Sequence, residues 1–170
     1  MIEILILYEL SKQTSTMYGI SKEIKSDLSV LTIPSIGTIK PALVRLESSG
    51  FIKSSKSMSK GGRPSVYYSI TDAGRIALRG YIKFPIKENP VQFLNSARVR
   101  LYCADALSTE ELYQLIDMLK IKIKNLMADT DRLVERHESD FYPRMVLDNL
   151  NCEYKNFLSL LEGVERACKH

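Results

Sequence analysis

The sequence predicts a mainly α chain, with an α+β N-terminal domain and an all-α C-terminal domain. Three observations support this prediction. Residues 35–75 have the pattern of a helix, two short strands joined by a basic loop, and the start of another helix. The two halves of the chain carry net charges of opposite sign. The second half contains two long runs in which apolar residues recur every three or four positions, as they do in packed helices.

The first 33 residues predict two helices and a short strand. Residues 2–12 have apolar residues at helical spacing, and Thr16 can cap a second helix that follows it. Residues 31–33 come directly before Pro34, and the residue before a proline favours an extended backbone. We therefore expect a small third strand at residues 31–33.

A third helix is predicted after this strand. Its apolar residues form one stripe at i, i+3, i+7 and i+10: Ile36, Ile39, Leu43 and Leu46. The opposite face carries Thr38, Pro41 and Arg45, with Lys40 near the boundary. Because Pro41 has no N–H, we expect the regular helix to begin near Thr38. A helix of this kind can enter a DNA major groove, although most amphipathic helices with one arginine are solvated surface helices.

A β-hairpin with a basic tip is predicted next. Gly50 can end the third helix, and residues 51–55 and 65–70 are rich in β-branched and aromatic residues. The loop between them has two glycines, no acidic residue and three basic residues: Lys56, Lys60 and Arg63. Such a loop is either a solvated tip or a wing that contacts phosphates or a minor groove. Beside the third helix we interpret it as the wing of a winged helix-turn-helix domain.

The boundary between the domains is predicted at a proline-containing linker. A helix over residues 72–84, capped by Thr71, completes the N-terminal domain. We assign residues 1–84 to a DNA-binding domain, residues 85–90 to the linker and residues 91–170 to a helical dimerisation domain.

Charge is unevenly distributed between the halves. Residues 1–85 contain twelve Lys and Arg against six Asp and Glu, a net charge of +6, while residues 86–170 contain twelve against fourteen, a net charge of −2. Binding to nucleic acid requires such a positive field, because phosphate neutralisation and counterion release supply much of the affinity.

The composition argues against several other classes of protein. No apolar run approaches the length that crosses a bilayer, and the start of the chain lacks a basic leader, so we expect a cytoplasmic protein without a membrane partner. The three cysteines and two histidines lack the spacing of a metal site. We expect no metal, no cofactor and no enzymatic activity, since no cofactor loop follows a strand and no nucleophile–base set is present.

The C-terminal half predicts two long helices with heptad-like apolar seams. Ser108 and Glu111 form a capping box at the start of the first. The seams can close on each other within one chain as an antiparallel hairpin, or they can join two chains. Additional apolar residues outside the seams, such as Ile121 and Leu160, favour a dimer. We predict nine interface residues: Leu112, Leu115, Leu119, Leu126, Leu150, Tyr154, Phe157, Leu161 and Val164.

The N-terminal half resembles the PadR-like winged-helix transcriptional regulators. The resemblance covers about residues 1–80 and rests on residues 17–24 and on the strings GTIKPALVRLESSGFI and GGRPSVYYSITDAGR. It departs from the family at Lys40, where a tyrosine is usual. The C-terminal half resembles, more loosely, the virulence-activator type of C-terminal domain. The resemblance implies a homodimer joined through C-terminal helices, a repressor more often than an activator, and in some members a small-molecule effector.

Together these features predict a homodimeric, sequence-specific regulator that reads a pseudo-palindromic operator in double-stranded DNA. We expect Ser35, Thr38 and Arg45 to face base edges and Lys22 and Lys40 to contact phosphates. Lys60 and Arg63 are expected to anchor the wing. An alternative is a winged-helix module that binds protein as a scaffold and does not bind DNA sequence-specifically.

Overall fold

The computed structural model describes residues 1–58, 62, 64–86 and 89–168, with only the backbone described at Val91. The predicted fold class, mainly α with a small sheet in the N-terminal half, is confirmed. Two compact units are present. The first contains residues 1–86 and 95–106, and the second contains residues 87–94 and 107–170. The division into a DNA-binding domain, a linker and a dimerisation domain stays a prediction.

The first unit contains four complete helices, three strands and part of a fifth helix. In chain order the elements are α1 (Ile2–Lys12), β1 (Ser15–Thr16), α2 (Met17–Leu28), α3 (Ile36–Ser48), β2 (Ile52–Met58), β3 (Pro64–Ile70), α4 (Asp72–Lys83) and α5 (Pro90–Tyr102), followed by a 3₁₀ turn at Ala104–Ala106. Residues 95–102 of α5 belong to this unit and its earlier residues to the second. The core is formed by buried apolar residues from all of the first four helices, including Leu5, Leu7, Ile20, Ile24, Ile39, Leu43, Leu46, Leu78 and Ile82.

The predicted first helix and the predicted caps are confirmed. Helix α1 spans the predicted residues 2–12. The Thr16 side chain accepts a hydrogen bond from the backbone N–H of Gly19 at 3.1 Å, and Thr71 accepts one from Gly74 at 3.0 Å. Each cap satisfies a backbone donor that has no partner inside its helix.

The prediction of a strand at residues 31–33 is wrong. The backbone N–H groups of Leu31 and Thr32 both donate to the carbonyl of Leu28 at 2.8 Å, so this segment turns back on the end of α2. The sheet instead has the order β1–β3–β2, with both pairs antiparallel. Its third strand is β1, in which Ser15 and Thr16 pair with Tyr68 and Tyr67.

Helix α3 begins earlier than predicted. The Ser35 side chain accepts a hydrogen bond from the backbone N–H of Thr38 at 3.2 Å, so the helix starts at Ile36 and Pro41 lies in its second turn. The missing N–H of Pro41 leaves the Gly37 carbonyl without its usual helical donor. The strong cap at Ser35 therefore decides where the helix begins, and the proline is accommodated inside it.

Glycine at two positions permits the turn between α3 and β2 and the packing of α4. Gly50 has a φ of 73°, and its N–H donates to Glu47 O while that of Phe51 donates to Leu46 O, both at 2.9 Å. This is the Schellman arrangement, in which glycine accepts the left-handed conformation at little cost. A Cβ atom on Gly74 would overlap the carbonyl oxygen of Phe51, so only glycine lets α4 approach the sheet this closely.

Buried polar groups at the end of α1 have partners within the first unit. The Tyr8 hydroxyl donates to Asp105 at 3.0 Å, and Lys12 Nζ pairs with the buried Glu9 at 3.1 Å while lying 4.1 Å from the centre of the Tyr8 ring. Burial, with nearby Asp105, raises the pKa of the Cys103 thiol to about 12. Since a thiolate is the reactive form of cysteine, Cys103 behaves as a packing residue.

The second unit is built around a helical hairpin. It contains α6 (Thr109–Arg136) and α7 (Phe141–Ala167). The predicted capping box is confirmed, since the Ser108 side chain accepts from the Glu111 N–H at 3.2 Å and the Glu111 carboxylate accepts from the Ser108 N–H at 3.0 Å. None of the helices in the described part of the chain is both long and apolar enough to cross a membrane.

The two helices run antiparallel and close their seams on each other. Lys120 Nζ pairs with Glu165 at 2.6 Å near one end, and Asn151 Nδ2 donates to Asp131 at 2.7 Å near the other. Six of the nine residues predicted for a subunit interface are buried in the single chain: Leu115, Leu119, Leu126, Tyr154, Phe157 and Leu161. The intrachain hairpin, the alternative that the sequence left open, is the arrangement present.

Replacing Gly74 by Ala is expected to lower the free energy of unfolding by about 2–3 kcal/mol, because the added methyl forces α4 away from Phe51. The matched control is Gly80→Ala in the same helix, where a Cβ meets nothing within 4 Å. That control should leave stability unchanged or raise it by up to about 1 kcal/mol. Denaturant unfolding measures both, and equal effects of the two substitutions would contradict the close approach.

Candidate nucleic-acid interface

An open groove of about 570 Å³ lies between α2 and the first residue of α3. These two helices are the helix-turn-helix of the first unit, and the segment between them turns at Leu31 and Thr32. The groove is lined by six residues: Tyr18, Ser21, Lys22, Lys25, Ser26 and Ile36. It therefore brings two ammonium groups, a phenol and the Ser26 hydroxyl together at the surface, while Ser21, the other serine of the lining, is buried.

The exposed face of α2 carries these cationic groups because its other face is buried. Ile20 and Ile24 have no exposed surface and Ser21 is also buried, which leaves Lys22 and Lys25 on the side of the helix that faces solvent. Lys22 is exposed as predicted, and Lys25, one turn further on, is exposed beside it. Tyr18 is 70% exposed, four residues before Lys22. Sequence reasoning did not select Tyr18 or Lys25 as site residues, although their i, i+4, i+7 spacing with Lys22 was the available signal.

At the start of α3 the structure brings together two of the predicted site residues. The Ser35 and Thr38 hydroxyl oxygens lie 3.1 Å apart, and Ser35 Oγ also accepts from the Thr38 backbone N–H. Both side chains are exposed. Ser35 thus has a structural role that the sequence prediction did not include, and its cap also orients Thr38.

The residues predicted for the exposed face of α3, Thr38, Lys40, Pro41 and Arg45, are all exposed, and the structure adds Val44 to this face. The buried residues of the helix are Ile39, Ala42, Leu43 and Leu46, while Ile36 is only partly buried. This set leaves Pro41 and Val44 at the centre of the solvent-facing side. Val44 is 57% exposed and was not predicted as a site residue. Lys40 lies on one flank of this face and Arg45 on the other.

Arg45 forms an ion pair with the first helix. Its Nε donates to Glu3 Oε1 at 2.8 Å, with the two side chains 59% and 29% exposed. The sequence prediction that Arg45 faces base edges did not include this partner, because Glu3 is 42 residues away in the chain. In this structure the guanidinium lies on the flank of α3 that faces α1.

The start of the hairpin is attached to the end of α3. Glu47 Oε1 accepts a hydrogen bond from the backbone N–H of Ser54 at 3.1 Å, which links α3 to β2. Lys53 and Lys56 on β2 are exposed. Burial raises the pKa of the Tyr68 phenol, and the nearby Glu47 carboxylate adds to this shift. The predicted wing anchors Lys60 and Arg63 lie outside the described residues.

These elements, in this order and with this sheet, define a winged helix-turn-helix protein. The sequence model of the transcriptional regulator PadR-like family matches residues 6–80. The chain belongs to the PadR-like family. Its members are regulators of transcription and not enzymes.

Several solved structures are similar to the chain. A PadR family transcription regulator from Clostridium difficile is 34% identical, over 47% of this chain and 81% of that one, with a TM-score of 0.43. A transcriptional regulator from Clostridium thermocellum is 30% identical over 46% of this chain and 76% of that one, with a TM-score of 0.43. Bacillus subtilis PadR, solved in complex with operator DNA, is 23% identical over 98% of both chains, with a TM-score of 0.46. No curated protein gives a significant match.

Replacing Ser35 by Ala is expected to lower the free energy of unfolding by about 1 kcal/mol, because the Thr38 N–H loses its acceptor. Ser35→Asp should keep most of the stability, since a carboxylate caps a helix equally well. Ser49→Ala at the other end of α3 serves as the control and should change stability by less than about 0.5 kcal/mol. Thermal and denaturant unfolding test this, and a Ser35→Ala variant as stable as the wild type would show that the cap is dispensable.

Proposed function

We propose that the protein is a homodimeric, sequence-specific DNA-binding regulator that represses transcription from a pseudo-palindromic operator. The observation that carries this proposal is the exposed cationic face of α2, with Lys22 and Lys25, beside the solvent-facing side of α3 in a family of transcriptional regulators. Because such a regulator acts on chromosomal DNA, we expect the protein in the cytoplasm.

Electrostatics supplies the affinity in this proposal. Residues 1–85 carry a net charge of +6, whereas residues 86–170 carry −2. Each phosphate neutralised by a lysine or arginine releases a counterion, which makes binding dependent on salt. We assign phosphate contacts to Lys22, Lys25 and Lys40, which are all exposed. Lys60 and Arg63 remain our proposed wing contacts on the basis of the sequence.

Specificity is proposed to come from α3. Its exposed residues Thr38, Pro41 and Val44 lie on one side of the helix and follow the Ser35 cap, so they are presented as one surface. Ser35 and Thr38 remain proposed base-edge contacts through their hydroxyls. Arg45 becomes available for DNA only when its pairing with Glu3 is exchanged for a phosphate or a base. An exposed pair of this kind contributes only about 0–1 kcal/mol, so such an exchange is possible.

Dimerisation is proposed through faces of the hairpin other than the closed seam. Large apolar side chains remain exposed on the two helices: Ile121, Leu133, Phe141, Tyr142, Met145, Val146 and Leu160. Some of them line an open, mainly apolar groove of about 430 Å³ at the hairpin turn. An exposed apolar groove of this kind usually marks an interaction site. Of the predicted interface residues, Leu112, Leu150 and Val164 are only partly buried and stay candidates for contact with a second chain.

A twofold dimer accounts for the proposed form of the operator. Two copies of α3 related by a twofold axis would enter successive major grooves, about 34–36 Å apart. Each half-site then presents the same sequence to each subunit, and the operator is pseudo-palindromic. We propose no effector, because no ligand chemistry follows from the exposed surfaces described above.

Replacing both Lys22 and Lys25 by Gln is expected to weaken binding to every duplex and to flatten its salt dependence. The slope of log K against log salt should fall by about 0.9 for each phosphate that the variant no longer neutralises. The matched control, Lys122→Gln with Lys124→Gln on the exposed side of α6, removes the same charge from the second unit. Fluorescence anisotropy with labelled duplexes from low to moderate salt measures both variants.

Identical slopes for the two double variants would refute the assignment of the α2 face to DNA. If the wild-type protein bound no duplex even in dilute buffer, the scaffold alternative would replace the proposed function.

Replacing Val146 by Glu is expected to weaken self-association at least about tenfold, because a charge would have to be buried against the partner. Operator affinity should fall with it, since a monomer contacts one half-site. Ser159→Glu, an exposed position on another side of α7, is the control and should leave the dimer intact. Sedimentation velocity over a concentration series measures the change. A wild-type protein that sediments as a monomer at all concentrations would overturn the proposed dimer.

A further inference from the structure

The centre of the exposed face of α3 is apolar. Pro41 and Val44 are both exposed and lie three residues apart, which places them beside each other on the helix surface. Val44 exposes 57% of its surface. A single exposed valine needs no explanation on an ordinary helix. Here two rigid apolar groups occupy the middle of the surface that the proposed function directs at DNA.

These two residues are poor choices for helix stability. Proline removes a hydrogen bond from a helix interior, and a β-branched residue is a weaker helix former than alanine or lysine. Burial of these two side chains does not offset the loss of helix stability, because both are exposed. Positions at which local rules are broken without a gain in packing are often functional positions.

Two of the hydrogen-bonding side chains that flank this apolar centre already have partners within the chain. The Arg45 guanidinium is held by Glu3 at 2.8 Å, and the Thr38 hydroxyl lies 3.1 Å from that of Ser35. Helix α3 contains no Asn or Gln, the side chains that read adenine through two hydrogen bonds. The middle of the exposed face therefore consists of carbon atoms, and the donors lie on its flanks and at the end of the helix.

One group in the major groove is recognised by apolar contact, and that group is the C5 methyl of thymine. The cations beside the apolar centre favour DNA over an apolar protein as the ligand of this face. Lys40 lies on the same helix, and Lys22 and Lys25 lie on α2. We propose that Val44, beside Pro41, reads a thymine methyl group, so that each operator half-site carries thymine at the position facing Val44. This inference rests on the proposed function and names Val44 as a specificity-determining residue.

The test removes the methyl group without altering base pairing. A high-affinity duplex is first selected from a random pool with the wild-type protein. Each thymine is then replaced in turn by uracil, which lacks only the C5 methyl. The inference predicts a loss of affinity of about fourfold at one position of a half-site, and about 15-fold when both half-sites are changed. Uracil elsewhere in the duplex should have no comparable effect.

Variants connect the thymine effect to α3. Val44→Ala should bind the thymine duplex several times more weakly and should no longer distinguish thymine from uracil at that position. Val44→Thr, which keeps the shape of the side chain, should retain part of the discrimination. Ile76→Ala removes an apolar side chain that is 63% exposed on α4 and should behave like the wild type. Circular dichroism and unfolding of each variant check that it is folded.

The outcomes separate this inference from the proposed function. If the wild-type protein binds the selected duplex with the expected salt dependence but uracil has no effect at any position, the thymine inference is overturned and the proposed function stands. If discrimination persists in Val44→Ala, a different residue reads the methyl and the inference is equally overturned. A protein that selects no duplex from the pool overturns the proposed function and this inference together.

Discussion

One buried helix organises the first unit. Helix α1 is buried on every side: seven consecutive residues, Ile4–Leu10, are buried, and all of them except Glu9 are apolar or aromatic. A helix of this kind must be covered all round, and α2, α3, α4 and β3 all contact it. Fully buried side chains such as Leu5, Ile6 and Leu7 each contribute about 1.5–3 kcal/mol relative to exposure. Because α3 packs on this core through Ile39 and Leu43, its opposite side is held toward solvent.

Two carboxylates then fix α3 at its edges. Glu3 from α1 binds Arg45 on one flank, and Glu47 on α3 binds the backbone of β2 on the other. The Schellman turn at Gly50 and the close packing of Gly74 against Phe51 attach the hairpin and α4 to the same end of the helix. These contacts connect α3 to α1, the hairpin and α4, and support of this kind helps to present side chains to a ligand in one arrangement.

The C-terminal half illustrates an ambiguity of heptad patterns. An apolar seam indicates that a helix packs against a partner helix, but it does not indicate whether that helix belongs to the same chain. Here the short connection between α6 and α7 lets the two seams close on each other, with Leu119 and Leu161 fully buried. The apolar residues left outside, such as Tyr142 and Val146, are the ones for which a second chain is now proposed.

Much of this protein follows from the sequence alone. The helical periods, the caps at Thr16, Thr71 and Ser108, and the Gly50 turn are local, because each depends on residues within one or two turns. Family membership follows from the same local strings.

The position of β1 and the pairing of Glu3 with Arg45 could not be predicted in this way, because each joins segments that are distant in the chain. The burial of Ala42 and the exposure of Val44 on α3, and the closure of the α6–α7 seam within one chain, were likewise decided only by tertiary packing. A sequence pattern indicates how much of a helix surface must be buried, whereas the packing of neighbouring helices and strands decides which of its residues are buried.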